Sequence, residues 1–256
     1  MIGHKTYGNG YNKVLVMHDW FSDCSSYDSV IPFLDTTLFT YVFMDLRGYG
    51  KSKSIQGECS VQEAVGDAIA LVNHLKWDQF HIIGHSMSAM IAQQIALEAE
   101  DRVKSVIAIT PVPACGSPVP EEVLEFLEDA AICNDQSAAQ IIGFMTSGKL
   151  PMHFADYKVK EWRRTSAPEA RTAYLHMFTQ TDFSQQVKGL RVPFFVIIGS
   201  HDAEAYSEFV MRETFLKWYP NAELAVIANS GHYPMQETPL YLLSLIEGFL
   251  GRHMDK

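Results

Sequence analysis

Short apolar runs and longer amphipathic stretches alternate along this chain. Residues 13–17, 41–44, 80–83, 103–110, 193–198 and 223–227 are short, apolar and rich in β-branched and aromatic side chains, and the pattern predicts buried strands. Residues 2–7 read as an edge strand closed by the turn Gly8-Asn9-Gly10. Residues 60–76 read as a helix: Val61, Ala64, Val65, Ala68, Leu71, Val72 and Leu75 recur at helical spacing. Ser60 is placed as its N-cap, with Glu63 completing a capping box. Further helices are expected after residue 88, at 207–219 and at 239–250. Strands alternating with helices imply a mostly parallel sheet covered on both faces, a doubly wound α/β fold. Between residues 118 and 189 the rhythm breaks. Helical patterns at 120–132, 137–146, 153–165 and 168–179 follow one another with no convincing strand.

Composition narrows the class. With 256 residues and 47% hydrophobic content the chain can bury one sizeable core. A net charge of −10 argues against nucleic acid and anionic membrane surfaces, which need a basic stripe. Cys24, Cys59, Cys115 and Cys133 lack Cys-x-x-Cys spacing, so free thiols are expected. The first ten residues lack a basic segment followed by an apolar one, and no apolar run approaches about 18 residues. A cytoplasmic protein acting on a small molecule is therefore expected, without metal or other cofactor; a homo-oligomer stays open.

The candidate chemistry centres on Gly84-His85-Ser86-Met87-Ser88, lying between a predicted strand and a predicted helix. A sharp turn at this point lifts the Ser86 hydroxyl clear of the sheet, and its flanking positions must be small because strand and helix pass close together. The following helix N-terminus favours a developing negative charge. Ser86 is thus the candidate nucleophile.

This stretch resembles the nucleophile elbow of the α/β-hydrolase family, with Ser88 where glycine is usual. Asp45-Leu46-Arg47-Gly48-Tyr49-Gly50-Lys51-Ser52 is similar to the family's D-x-R-G-x-G-x-S loop and is read as architectural. His18-Asp19-Trp20-Phe21 resembles the His-Gly-x-x loop, with Asp19 in place of glycine. The resemblance implies an oxyanion hole made by the backbone N–H groups of Trp20 and Met87. The Asp19 side chain is expected to face away from it, with His18 and Asp19 stabilising the loop. The resemblance also implies Asp202 as the triad acid, in a G-x-x-D loop with Glu204 as fallback, and His232 as the base in Ser230-Gly231-His232. Ser86, Asp202 and His232 then fall in the family's order. In that chemistry the imidazole takes the serine proton, the carboxylate orients the imidazole, and each oxyanion donor contributes roughly 3–4 kcal/mol.

By the same resemblance residues 118–189 form a helical cap inserted into a core of residues 1–117 and 190–256. Met145, His153, Phe154, Trp162, Tyr174 and Phe178 of the cap, with Tyr233, are candidate pocket residues. The implied activity is hydrolysis of a small carboxylic ester or lactone through an acyl-enzyme. Carbon–carbon bond hydrolysis and cofactor-free haloperoxidase or perhydrolase chemistry remain alternatives on the same triad, as does a small-molecule sensor with slow turnover. A serine at the elbow disfavours the dehalogenases and epoxide hydrolases, which use aspartate there.

Overall fold

The computed structural model describes residues 1–254. Seven strands, β1 (His4–Tyr7), β2 (Asn12–Met17), β3 (Phe39–Met44), β4 (Phe80–His85), β5 (Val103–Ile109), β6 (Phe194–Gly199) and β7 (Ala222–Ile227), form one sheet in the order β1-β3-β2-β4-β5-β6-β7. Only β1 runs antiparallel. Every residue of β3, β4 and β6 is buried, as expected for parallel strands covered on both faces. Helices α1 (Val61–His74) and α2 (Met87–Glu98) follow β3 and β4.

The expected break in rhythm is present. Between β5 and β6 lie α3 (Glu121–Ile132), α4 (Asp135–Met145), α5 (Met152–Thr165), α6 (Pro168–Gln180) and the short α7 (Ser184–Val187). Arg171 of α6 ties this insert together. Its guanidinium donates to the carbonyls of Ala131 at 2.6 Å, Ile132 at 3.1 Å and Ser166 at 3.2 Å, satisfying groups where α3 and α5 end. After β6 come α8 (Glu208–Glu213) and α9 (Phe215–Trp218), and after β7 come α10 (Pro234–Glu237) and α11 (Pro239–Arg252).

Three local expectations change. The helix expected over 207–219 is broken at Thr214, whose backbone leaves the helical region. Ser60 accepts the Glu63 N–H at 3.2 Å, but Glu63 reaches past Ser60 to the Cys59 N–H at 2.8 Å, so the capping box is displaced by one residue. Strand β4 does not stop at Gly84 but continues through His85, leaving Ser86 alone to make the turn.

The loop after β3 is held electrostatically. The Asp45 carboxylate accepts the N–H groups of Cys24 and Lys51, each at 2.9 Å, and Arg47 grips Asp67 bidentately at 2.6 and 2.9 Å. Two glycines permit close backbone approaches at the carboxyl edge of the sheet. A Cβ on Gly199 would stand 2.2 Å from the Gly231 carbonyl oxygen, and one on Gly84 would stand 2.6 Å from that of Ser88. Gly84→Ala is therefore expected to cost about 1–3 kcal/mol of unfolding free energy through overpacking at the turn, measured by urea titration.

Candidate active site

The carboxyl ends of β2, β4, β6 and β7 lead into four loops that converge, as ligand sites of open α/β sheets do. Ser86 takes φ +56°, ψ −117°, a conformation costly for a residue with a Cβ, while its N–H continues the ladder to the Ile109 carbonyl at 2.9 Å. The strain presents Oγ at the floor of a cavity. His232 Nε2 lies 2.9 Å from Ser86 Oγ, and His232 Nδ1 lies 2.8 Å from Asp202 Oδ2. The Asp202 side chain is wholly covered, and its Oδ1 accepts the Ala203 N–H at 2.7 Å. The structure thus brings Ser86, Asp202 and His232 together; Glu204 takes no part in this relay.

Five residues from separate parts of the fold fix the His232 loop. His85 Nε2 bonds the His232 carbonyl at 2.8 Å, and Thr110 donates to the same oxygen at 3.2 Å. A carbonyl only accepts, so Nε2 of His85 carries the proton. The His232 N–H donates to the Met145 carbonyl at the end of α4, at 3.1 Å, and Tyr206 sets its ring edge-on to the imidazole at 4.5 Å. Glu237 accepts the N–H groups of Gly231 at 2.8 Å and Tyr233 at 3.0 Å. Burial raises its carboxyl above the ordinary range, with those two N–H groups opposing.

The two departures from family pattern have physical roles. Ser88 donates through Oγ to the His18 carbonyl, which fastens the loop after β2 to the first turn of α2. His18 bridges that loop internally: Nδ1 donates to the Asp19 carbonyl at 2.7 Å, and Nε2 accepts the Leu46 N–H at 3.1 Å. Asp19 Oδ2 accepts the Phe21 N–H at 3.1 Å, so the carboxylate turns back on its own loop. Tyr49 donates to the Trp20 carbonyl at 2.9 Å, and Trp20 Nε1 donates to the Arg171 carbonyl at 2.8 Å. Among the described residues the backbone N–H groups of Trp20 and Met87 have no acceptor.

Above Ser86 lies a cavity of about 470 Å³ walled by Trp20, Phe21, Leu127, Ile141, Met145, Phe178, Tyr206 and Tyr233. Val123, Phe126 and Phe144 line it while remaining partly exposed, and Gln140 supplies a polar group from the insert. Of the expected pocket residues, Met145, Phe178 and Tyr233 line the cavity. The others do not. Trp162 is buried behind it, its ring 4.8 Å from that of Trp20 and 4.2 Å from that of Phe21. Tyr174 is buried against Tyr49 at 5.8 Å. Phe154 packs on the outer side of Tyr233 at 5.7 Å and lines a separate hollow between α4 and α5. The His153 side chain is 99% exposed and faces Asp156 at 3.7 Å. The reason is helical phase. α5 buries Lys158, Val159 and Trp162, and His153 lies roughly 140° round the helix from Lys158. No cluster of metal-ligating side chains occurs among the described residues.

The sequence pattern of the Alpha/beta hydrolase family matches residues 14–243. The chain belongs to that family. It is 24% identical to a non-heme haloperoxidase of Rhodococcus erythropolis, covering 90% of this chain and 89% of the relative. It is 25% identical to a pimeloyl-[acyl-carrier protein] methyl ester esterase of Legionella pneumophila, covering 94% and 96%. Among solved structures, a bromoperoxidase from Bacillus anthracis superposes with a TM-score of 0.85 at 19% identity, covering 97% of this chain and 94% of that one. An enol-lactonase from Burkholderia xenovorans superposes with a TM-score of 0.83 at 20% identity, covering 98% and 96%. These likenesses establish the fold.

Several residues around this α/β-hydrolase site escape a reading of the sequence. His85 and Thr110 act on the backbone of a loop distant in the chain, and no local pattern announces them; Glu237 lies only four and six residues beyond the N–H groups it accepts. Lys158 has a signal: it shares one face of α5 with Phe154 and Trp162. Glu237→Ala is expected to leave two N–H groups of the histidine loop without acceptors and to lower unfolding free energy by about 2–4 kcal/mol in urea.

Proposed function

We propose that the protein is a serine hydrolase that cleaves neutral carboxylic esters or lactones with an apolar acyl part. The observation that carries this reading is the unbroken Ser86–His232–Asp202 relay on the floor of an apolar cavity. Ser86 Oγ attacks the carbonyl carbon as its proton passes to His232 Nε2. The oxyanion that forms is held by the N–H groups of Trp20 and Met87, and Asp202 stabilises the imidazolium and its orientation. His232 then gives the proton to the departing alkoxide, the C–O bond breaks, and the acyl-enzyme remains. Water adds to the acyl carbon, its proton goes to His232, and collapse returns a proton to Ser86 as the acid leaves. In a lactone the leaving hydroxyl stays tethered to the acyl chain.

The helical insert serves as the cap that supplies the acyl pocket, and its size suits a small molecule. Among the described residues no lysine or arginine lines the cavity, and Asp19 is its one carboxylate neighbour besides the relay. Glu121, Glu122 and Glu125 share α3 with the rim residues Val123 and Phe126, which places negative charge near the mouth. Anionic substrates are disfavoured twice. With about 0.8 kcal/mol per buried methylene, the hexanoyl ester of p-nitrophenol should exceed the acetate by about tenfold or more in kcat/KM, and the succinate half-ester should fall below both. Equal rates for all three would overturn the acyl assignment.

The names of the Rhodococcus and Bacillus relatives favour a second acceptor. Hydrogen peroxide in place of water would release the same acyl group as a peracid, and formation of peracid from acetate and peroxide tests it.

The decisive experiment is intact-mass analysis after fluorophosphonate treatment. A single adduct is expected on the wild type and none on Ser86→Ala; an adduct retained by the variant would place the nucleophile elsewhere. Asp202→Asn is expected to reduce kcat by about 10⁴-fold through mis-orientation of His232, with the fold intact by circular dichroism.

A further inference from the structure

Asp19 adjoins Trp20 in the loop after β2, and its side chain is buried beside the cavity. Its Oδ2 makes the turn by accepting the Phe21 N–H, a bond an uncharged asparagine would make equally well. The turn therefore does not require the charge, and a buried carboxylate next to a nascent oxyanion opposes it. A cation answers it. Lys158 of α5, 1% exposed, brings Nζ to 3.8 Å from Asp19 Oδ2 and to 4.3 Å above the Tyr233 ring. His85 Nδ1 stands on the other side, 3.6 Å from Asp19 Oδ1. Among the described residues Lys158 Nζ makes no hydrogen bond; Asp19 is its ion-pair partner, and Asp23 and Glu161 attract it from farther off.

Burial works against both charges. For Asp19 the Lys158 ammonium and His85 outweigh it and hold the carboxyl far below its ordinary range, whereas for Lys158 and for His85 burial prevails and lowers each. An apolar pair of similar volume would often be as stable or more so, so stability alone does not account for the arrangement.

We propose that Lys158 is a positioning residue: it is the counter-charge that lets the oxyanion loop carry an aspartate, so that stabilisation of the oxyanion at Ser86 depends on α5 being seated. The proposal rests on the serine-hydrolase reading. A cap residue thus sets the electrostatics of the hole without touching substrate, and catalysis is coupled to cap docking through charge as well as shape.

A double-mutant cycle at pH 8 on p-nitrophenyl hexanoate tests this. K158M is expected to lower kcat by about 10²-fold, the scale of losing one oxyanion donor, with KM within about threefold. Removing the carboxylate as well, in D19N/K158M, is expected to recover kcat to within about fivefold of D19N. A K158M variant with wild-type kcat overturns the proposal, and so does a double variant about a hundredfold slower than D19N. Should K158M not fold, the comparison of D19N with D19N/K158M still decides. Failure of the hydrolase reading shows separately, as wild type without turnover or fluorophosphonate adduct. The pairing is then read from urea midpoints: K158M below D19N/K158M is expected, and equal or reversed midpoints overturn it.

Discussion

The site depends on one backbone conformation. Ser86 sits at φ +56° between the last residue of β4 and the first of α2, and the sheet and the helix each hold one side of it. Its N–H continues the β ladder while its carbonyl accepts from Ala89 and from Val112. Those bonds over-determine the residue, which is how a strained turn persists. The remaining geometry follows. Strand and helix pass so close that Gly84 has no room for a Cβ, and α2 begins where its free N–H groups face the space above the hydroxyl. Ser88 lies inside that crowded turn, and its hydroxyl fastens the loop after β2 onto it. The two prospective oxyanion donors thus belong to elements bonded directly to each other.

Low polarity above the turn gives those donors their strength. The cavity is walled mainly by aromatic and aliphatic side chains, and electrostatic interactions in such a space are larger than in water. The same property penalises any uncompensated charge. Asp202 is matched by His232 and two N–H groups hold Glu237, while Asp19 faces Lys158 and His85.

Legibility in the sequence divides along physical lines. Strands and helices were readable because burial on both faces of a parallel sheet writes continuous apolar runs, and one-sided helix burial writes a 3.6-residue period. The elbow was readable because its steric demand falls on neighbours in sequence, Gly84 and Ser88. The break at Thr214 was not, since the apolar spacing of 207–219 continues across it. Pocket residues were only half readable. Periodicity identifies the buried face of a helix in the insert but not whether that face meets the cavity or another side chain, so Trp162 and Tyr174 pass for pocket residues while packing behind it. His153, expected in the pocket, lies on the solvent side, out of phase with the buried Lys158 and Trp162 of the same helix.

The insert is bound to the relay and not merely laid over it. The Met145 carbonyl at the end of α4 accepts the N–H of His232, and Lys158 of α5 reaches Asp19 across the Tyr233 ring. Lifting the whole insert would unpair a backbone group of the His232 loop and separate two buried charges, each costly in an apolar setting. Val123, Phe126 and Phe144, at the rim on α3 and α4, are by contrast apolar side chains that keep partial contact with solvent. Physical cost therefore ties the insert to the core at two points, the backbone of the His232 loop and the buried ion pair that α5 makes with Asp19.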